Sequence, residues 1–115
     1  MNVSFQGIDE LVVTFQVSGE VNQGDFVFIS DNGTVSPSTF GDAPAGKVLN
    51  VRDGFAAVQV RGAMETEYSG GLHLGMQNIT AQGGKIMASN SGDNSRNAMV
   101  LSKDDTTMTA CLLLW

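Results

Sequence analysis

Apolar and polar residues alternate over short runs along most of this chain, and the period is that of strands rather than helices. Leu11 to Val17 (Leu-Val-Val-Thr-Phe-Gln-Val) is rich in β-branched and aromatic residues, and Val13, Phe15 and Val17 fall on one face. Ser18-Gly19-Glu20 reads as a turn. Asp25 to Ser30, carrying Phe26, Val27, Phe28 and Ile29, runs into Asp31-Asn32-Gly33. Asn-Gly after a strand predicts a tight hairpin, because both residues tolerate positive φ. Thr34 and Val35 begin the return strand, and Pro37, with no N–H to give to a ladder, cuts it short.

Residues 36–46 hold both prolines and read as a loop. A second hairpin follows, with Lys47 to Val51 and Phe55 to Arg61 flanking Asp53-Gly54. Ala56, Val58 and Val60 share one of its faces, and Gly62 is expected to end the strand. From Ala63 to Gly84 the alternation loosens, leaving room for a very short strand at Leu72 to Leu74. Regularity returns at Lys85-Ile-Met-Ala, and a polar loop runs from Ser89 to Asn97. A third hairpin closes the chain, with Ala98 to Ser102 and Thr107 to Leu114 around the turn Lys103-Asp104-Asp105-Thr106. Short strands separated by turns about every 8–12 residues predict an all-β chain, a small antiparallel β-barrel or sandwich built from hairpins. Residues 1–8 have little periodicity and read as an extended N-terminal arm, with a single β domain over residues 9–115. No internal repeat is legible in the residues themselves.

Composition narrows the partners. At 115 residues the expectation is one domain, and charged residues make up only 16% of it. Ser, Thr, Asn, Gln and Gly supply the polarity instead, a mix that suits turns and strand faces. The net charge of −6 is uneven. Residues 1–46 carry Asp9, Glu10, Glu20, Asp25, Asp31 and Asp42 and no Lys or Arg, while all six bases lie from Lys47 onward. Phosphate backbones are held by clustered Lys and Arg, so nucleic acid is not expected as a partner. Nor is a membrane, because no run approaches the roughly 20 apolar residues of a spanning helix. The first residues lack a basic stretch followed by an apolar one, and synthesis in the cytoplasm is the expectation.

Candidate chemistry is sparse. His73 is the one histidine, and Gly71, Leu72, Leu74 and Gly75 around it contain no nucleophile. General-base chemistry through it is therefore not expected. His73 and Cys111 are too few for a transition-metal site, and no calcium-loop spacing occurs. Gly70-Gly71-Leu72-His73-Leu74-Gly75 matches neither the dinucleotide nor the phosphate-loop pattern. Glu65 and Glu67 share a strand face, an arrangement open to a glycosidase pair and far commoner on a solvated surface. Cys111 sits in an apolar run as a small hydrophobe, and Met76, Met87, Met99 and Met108 are expected to fill gaps in the core. The expectation is a protein that is not an enzyme and needs no cofactor or metal. Trp115, after three leucines, is a candidate subunit contact.

The order Gly24-Asp25-Phe26-Val27, hairpin, Ala45-Gly46-Lys47-Val48, then Gly54-Phe55-Ala56-Ala57-Val58-Gln59-Val60-Arg61-Gly62 resembles small head decoration (capsid cement) proteins of tailed bacteriophages. The apolar closing hairpin, Met99-Val-Leu-Ser and Ala110 to Leu114, is similar as well. The resemblance spans residues 20–115 as a pattern of strands and glycines. It implies a structural virion protein on the outer surface of an expanded capsid, with the major capsid protein as partner and a homotrimer as the favoured assembly. The arm would then dock on the shell through Phe5 and Ile8. The alternative is a carbohydrate- or ligand-binding β module, whose aromatic platform would have to come from Phe40, Tyr68 or Trp115.

Overall fold

The computed structural model describes residues 10–39, 42–89 and 95–114. Nine strands make up most of them: β1 (Leu11–Val17), β2 (Phe26–Asp31), β3 (Thr34–Pro37), β4 (Gly46–Arg52), β5 (Phe55–Tyr68), β6 (Gly75–Gln82), β7 (Lys85–Ala88), β8 (Arg96–Asp104) and β9 (Thr109–Leu114). No helix occurs among the described residues. The all-β expectation holds, and the first two hairpins turn at Asn32-Gly33 and Asp53-Gly54 as predicted. The arm lies outside the described residues.

Pairing closes the strands into two rings. β1 pairs with β3, β3 with β2, β2 with β4, β4 with β5, and β5 back with β1. The second circuit runs β5–β7–β6–β8–β9 and returns to β5. In each circuit the first strand meets the third in a short parallel pair: Gln16↔Thr34 and Val17↔Val35 in one, Glu67↔Lys85 and Tyr68↔Ile86 in the other. Every other contact is antiparallel. β5 serves both rings, closing the first with residues 55–61 and opening the second with residues 62–67.

The change of partner falls on Gly62, which was expected to end the strand. Its φ of +109° is a conformation L side chains rarely adopt, and a Cβ there would lie 3.1 Å from Glu10 Cα. The glycine redirects β5 rather than stopping it. Beyond it Met64, Thr66 and Tyr68 point inward while Glu65 and Glu67 face out. β6 is the other departure, and in it Ile79, Thr80 and Ala81 are buried in succession. The Thr80 hydroxyl donates to the Asp42 carbonyl at 2.9 Å, which makes its burial tolerable. Leu72 to Leu74 is not a strand; Leu72 is buried and Leu74 is 62% exposed. The last turn comes later than expected, at residues 105–108, where the Asp104 carboxylate accepts from the Thr106 N–H at 2.9 Å.

The two rings are versions of one unit. The Ser18 N–H donates to the Val35 carbonyl at 2.9 Å, and the Ser69 N–H to the Ile86 carbonyl at the same distance. Val17 N–H reaches Gly54 O at 3.0 Å, as Tyr68 N–H reaches Met108 O. β4 against β5 slips register between Val48 and Asn50, and β8 against β9 slips between Val100 and Ser102. These registers align Val17 with Tyr68, Val35 with Ile86, Val48 with Val100, Ala56 with Ala110 and Val58 with Leu112. Gly24 and Gly75, both at φ +90°, correspond as well. One pairing differs in extent: β2 meets β4 over two residues, whereas β6 meets β8 over five.

Each ring encloses its own apolar core. Val27, Val35, Val48 and Val58 fill the first; Ile79, Ile86, Val100 and Leu112 fill the second. Larger residues therefore occupy most of the matching places in ring two. Phe26, at the start of β2, crosses over and is fully buried in the second core, its N–H donating to Gly83 O at 2.7 Å.

Candidate functional site

Phe5, Ile8, Phe40 and Trp115 lie outside the described residues. His73 is exposed on the loop before β6, where its backbone N–H donates to Gln77 Oε1 at 2.7 Å. Cys111 is half-buried on the outer face of β9 opposite Glu65. Burial, and then the Glu65 charge, push its thiol pKa up, away from thiolate chemistry. Among the described residues no three His, Cys, Asp or Glu side chains converge as a metal site. Tyr68 is 3% exposed, so its ring offers no platform for a sugar.

Glu65 and Glu67 do share the outer face of β5, and they border a polar cleft of about 430 Å³ between the rings. Asp25, Lys47, Thr66 and Thr109 also line it. Lys47 reaches across from β4 and donates to the Glu65 backbone carbonyl. Burial pushes its pKa down, while Glu65 and Glu67 pull it back up. The ammonium is a strut holding strand backbone, with the two carboxylates as its counter-charges.

Two more side chains brace the same junction. Gln59, 6% exposed, donates through Nε2 to the carbonyls of Arg61 (3.3 Å) and Ala63 (3.2 Å). Arg96, at the start of β8, donates to Ala45 O and, at 2.6 Å, to Val60 O. The Val60, Arg61 and Ala63 carbonyls sit where β5 passes from one ring to the next, and Ala45 O lies just before β4. None of the three residues stands out in the sequence, because each acts on backbone oxygens that only the fold brings near.

The far end of the second ring is closed by Tyr68, Lys103 and Asp105. The Tyr68 hydroxyl donates to Asp105, and Lys103 bridges Asp105 at 3.2 Å and the Leu72 carbonyl at 3.0 Å. The bond to Asp105 pushes the Tyr68 pKa up to about 12, and its converse holds the Asp105 carboxyl below its usual range.

The outer surface of ring two carries an apolar row. Ala63 pairs with Leu113, Leu113 with Met99 and Met99 with Met76, so four side chains line up across β5, β9, β8 and β6. Their neighbours Met64, Leu112 and Val100 point inward. Met76 is 53% exposed and Leu74 beside it 62%, so Met76 is no core filler; Met108, at 40%, is not one either. No protein-family model and no curated protein matches the chain.

Proposed function

We propose that this chain is a structural virion protein that binds the outer surface of an expanded phage capsid and stabilises the shell. It would be made in the host cytoplasm and carried on the virion. The observation that carries the reading is the apolar row of ring two, Ala63–Leu113–Met99–Met76, displayed on a closed β framework. Ala63, Leu113 and Met99 are half-buried and Met76 is exposed, and an outward-facing apolar row suits a protein contact, where Met adapts to irregular partners. The order of strands and glycines that resembles head decoration proteins supports it. So does the bracing of Lys47, Gln59 and Arg96, each of which spends its donors on the protein's own backbone.

The physical logic is mass action. A protein that binds the expanded lattice and not its precursor stabilises the expanded state by its binding free energy. Contacts to several capsid subunits, or within a homotrimer, multiply a modest interface. The test is co-sedimentation of the purified protein with expanded and unexpanded capsids of the encoding phage. Saturable binding to the expanded form is the expected result; absence of binding to both forms would refute the proposal.

A further inference from the structure

Two hydrogen bonds fix the end of β1, and each is accepted by the glycine of a two-residue turn. Gln16 N–H donates to Gly33 O at 2.9 Å, and Val17 N–H donates to Gly54 O at 3.0 Å. Gly33 follows Asn32, and Gly54 follows Asp53. β1 and β3 share two residue pairs, Gln16↔Thr34 and Val17↔Val35, so the bond to Gly33 is a large part of what closes the first ring on that side.

Asn-Gly is the dipeptide most open to deamidation, for a steric reason. Glycine has no side chain to shield its backbone nitrogen, which can swing onto the side-chain carbonyl carbon of the preceding Asn. The pair occurs once in the chain, at Asn32-Gly33. Both residues are exposed, and apart from the chain neighbours no heavy atom lies within 4 Å of where a Gly33 side chain would begin. Water and hydroxide reach this turn freely. The counterpart turns of ring two differ: Gln82-Gly83-Gly84-Lys85 joins β6 to β7, and residues 105–108 join β8 to β9. Neither holds Asn-Gly or Asp-Gly.

We infer that Asn32 is a deamidation site, and that its conversion to isoaspartate releases the end of β1 from β3. Water is the only co-reactant. Gly33 N–H gives its proton to hydroxide, and the nitrogen attacks Asn32 Cγ. The Cγ–Nδ2 bond breaks, ammonia leaves, and a succinimide ring remains. Water then adds to one of the two ring carbonyls, and the bond from that carbon to the Gly33 nitrogen breaks. Opening at Cγ gives an ordinary Asp peptide; opening at the main-chain carbonyl leaves the chain running through Cγ as isoaspartate. The net change is an amide and water to a carboxylate and ammonium, with no electron transfer. Isoaspartate places an extra carbon in the main chain of a two-residue turn, which moves Gly33 O from its place against Gln16. The new carboxylate also stands beside that of Asp31, which accepts from the residue-32 N–H at 2.8 Å. Asp53-Gly54 can cyclise in the same way, but an ionised carboxylate has a poorer leaving group than a carboxamide, so Asn32 reacts first. This chemistry goes beyond capsid binding and does not depend on it.

The test is ageing of the purified full chain at mildly alkaline pH, where hydroxide favours the attack. Isoelectric focusing reads one added negative charge per chain, and peptide mapping with electron-transfer fragmentation should place isoaspartate at residue 32. Asn32→Ser keeps a turn-forming residue without the carboxamide, and should lose the first acidic product. In the separated isoaspartate form, amide exchange at Gln16 should quicken about fivefold or more. Exchange at Ser69, bonded to Ile86 O in ring two, should stay as it was. Asn32 left intact while other asparagines convert, or an acidic product undiminished in Asn32→Ser, would overturn the inference. So would isoaspartate at residue 32 with exchange at Gln16 unaltered, or a loss of protection throughout both rings, which would be unfolding rather than release of one strand end. No capsid enters this assay, so its failure leaves the co-sedimentation result to decide the capsid reading.

Discussion

Tyr68 is the one tyrosine of the chain, so its ionisation can be followed directly by phenolate absorbance. The midpoint should lie near 12, and Asp105→Asn should bring it toward the ordinary value of about 10. Because the folded pKa is raised, this bond's contribution to stability is complete below about pH 10 and fades as pH climbs toward 12. Asp105 works in the opposite sense. Its carboxyl is held low, so its contribution is present above the ordinary carboxylate range and is lost as acid protonates it. A Tyr68 midpoint unmoved by Asp105→Asn would refute the assignment. Gly62→Ala is a second test at this scale. It forces an L residue to φ +109° against Glu10 and Gln59, and should cost about 1–3 kcal/mol in denaturant unfolding.

Hairpins were the most legible elements, because Asn32-Gly33 and Asp53-Gly54 announce their own turns and flank β-branched runs. The sequence predicts β5 only as far as Gly62, because a glycine in a strand usually weakens it. Here Gly62 is instead the point where the strand changes partner, and Met64, Thr66 and Tyr68 point inward beyond it, in a stretch where the sequence pattern loosens. β6 was less legible for a different reason: Gln77-Asn78 breaks the alternation after Met76, and the run that resumes to Gln82 holds one strong apolar strand former, Ile79. The bracing side chains make a prediction about how these elements are tied together. Arg96→Met should lose about 1–3 kcal/mol by chemical denaturation, since the Val60 and Ala45 carbonyls would lose their donor. Lys47→Met, which uncaps a more exposed carbonyl, should cost less. The reverse order would show that the cleft rather than the Arg96 contact holds the rings together. At the same scale, deleting residues 1–8 should abolish capsid co-sedimentation while leaving the circular dichroism spectrum intact. Undiminished binding would remove Phe5 and Ile8 from the contact.

The molecule is one β unit used twice, and sequence alone conceals it. Identities such as Ser18 and Ser69, Gly19 and Gly70, and Val48 with Val100 are scattered. The spacing also drifts, because the turn after β4 has two residues and the turn after β8 has four. Pairing registers keep what the side chains have lost. A shared strand has a thermodynamic consequence: the rings cannot unfold independently, because β5 is a wall of both. Leu112→Ala, in the second core, should cost about 2–5 kcal/mol. It should also accelerate amide exchange at Val48 and Val58 in the first. Protection of ring one that stays unchanged would show two separate folding units.

Gly62 also has a topological consequence. Leu114 is its strand partner, and Glu10 lies against it, so both ends of the described chain arrive at the middle of the molecule. Cargo attached at Glu10 or at Leu114 would emerge at this waist. Glu10 and Leu114 could equally be joined by a short linker and the chain reopened at the exposed Asp53-Gly54 turn, giving a circular permutant with every described strand in place.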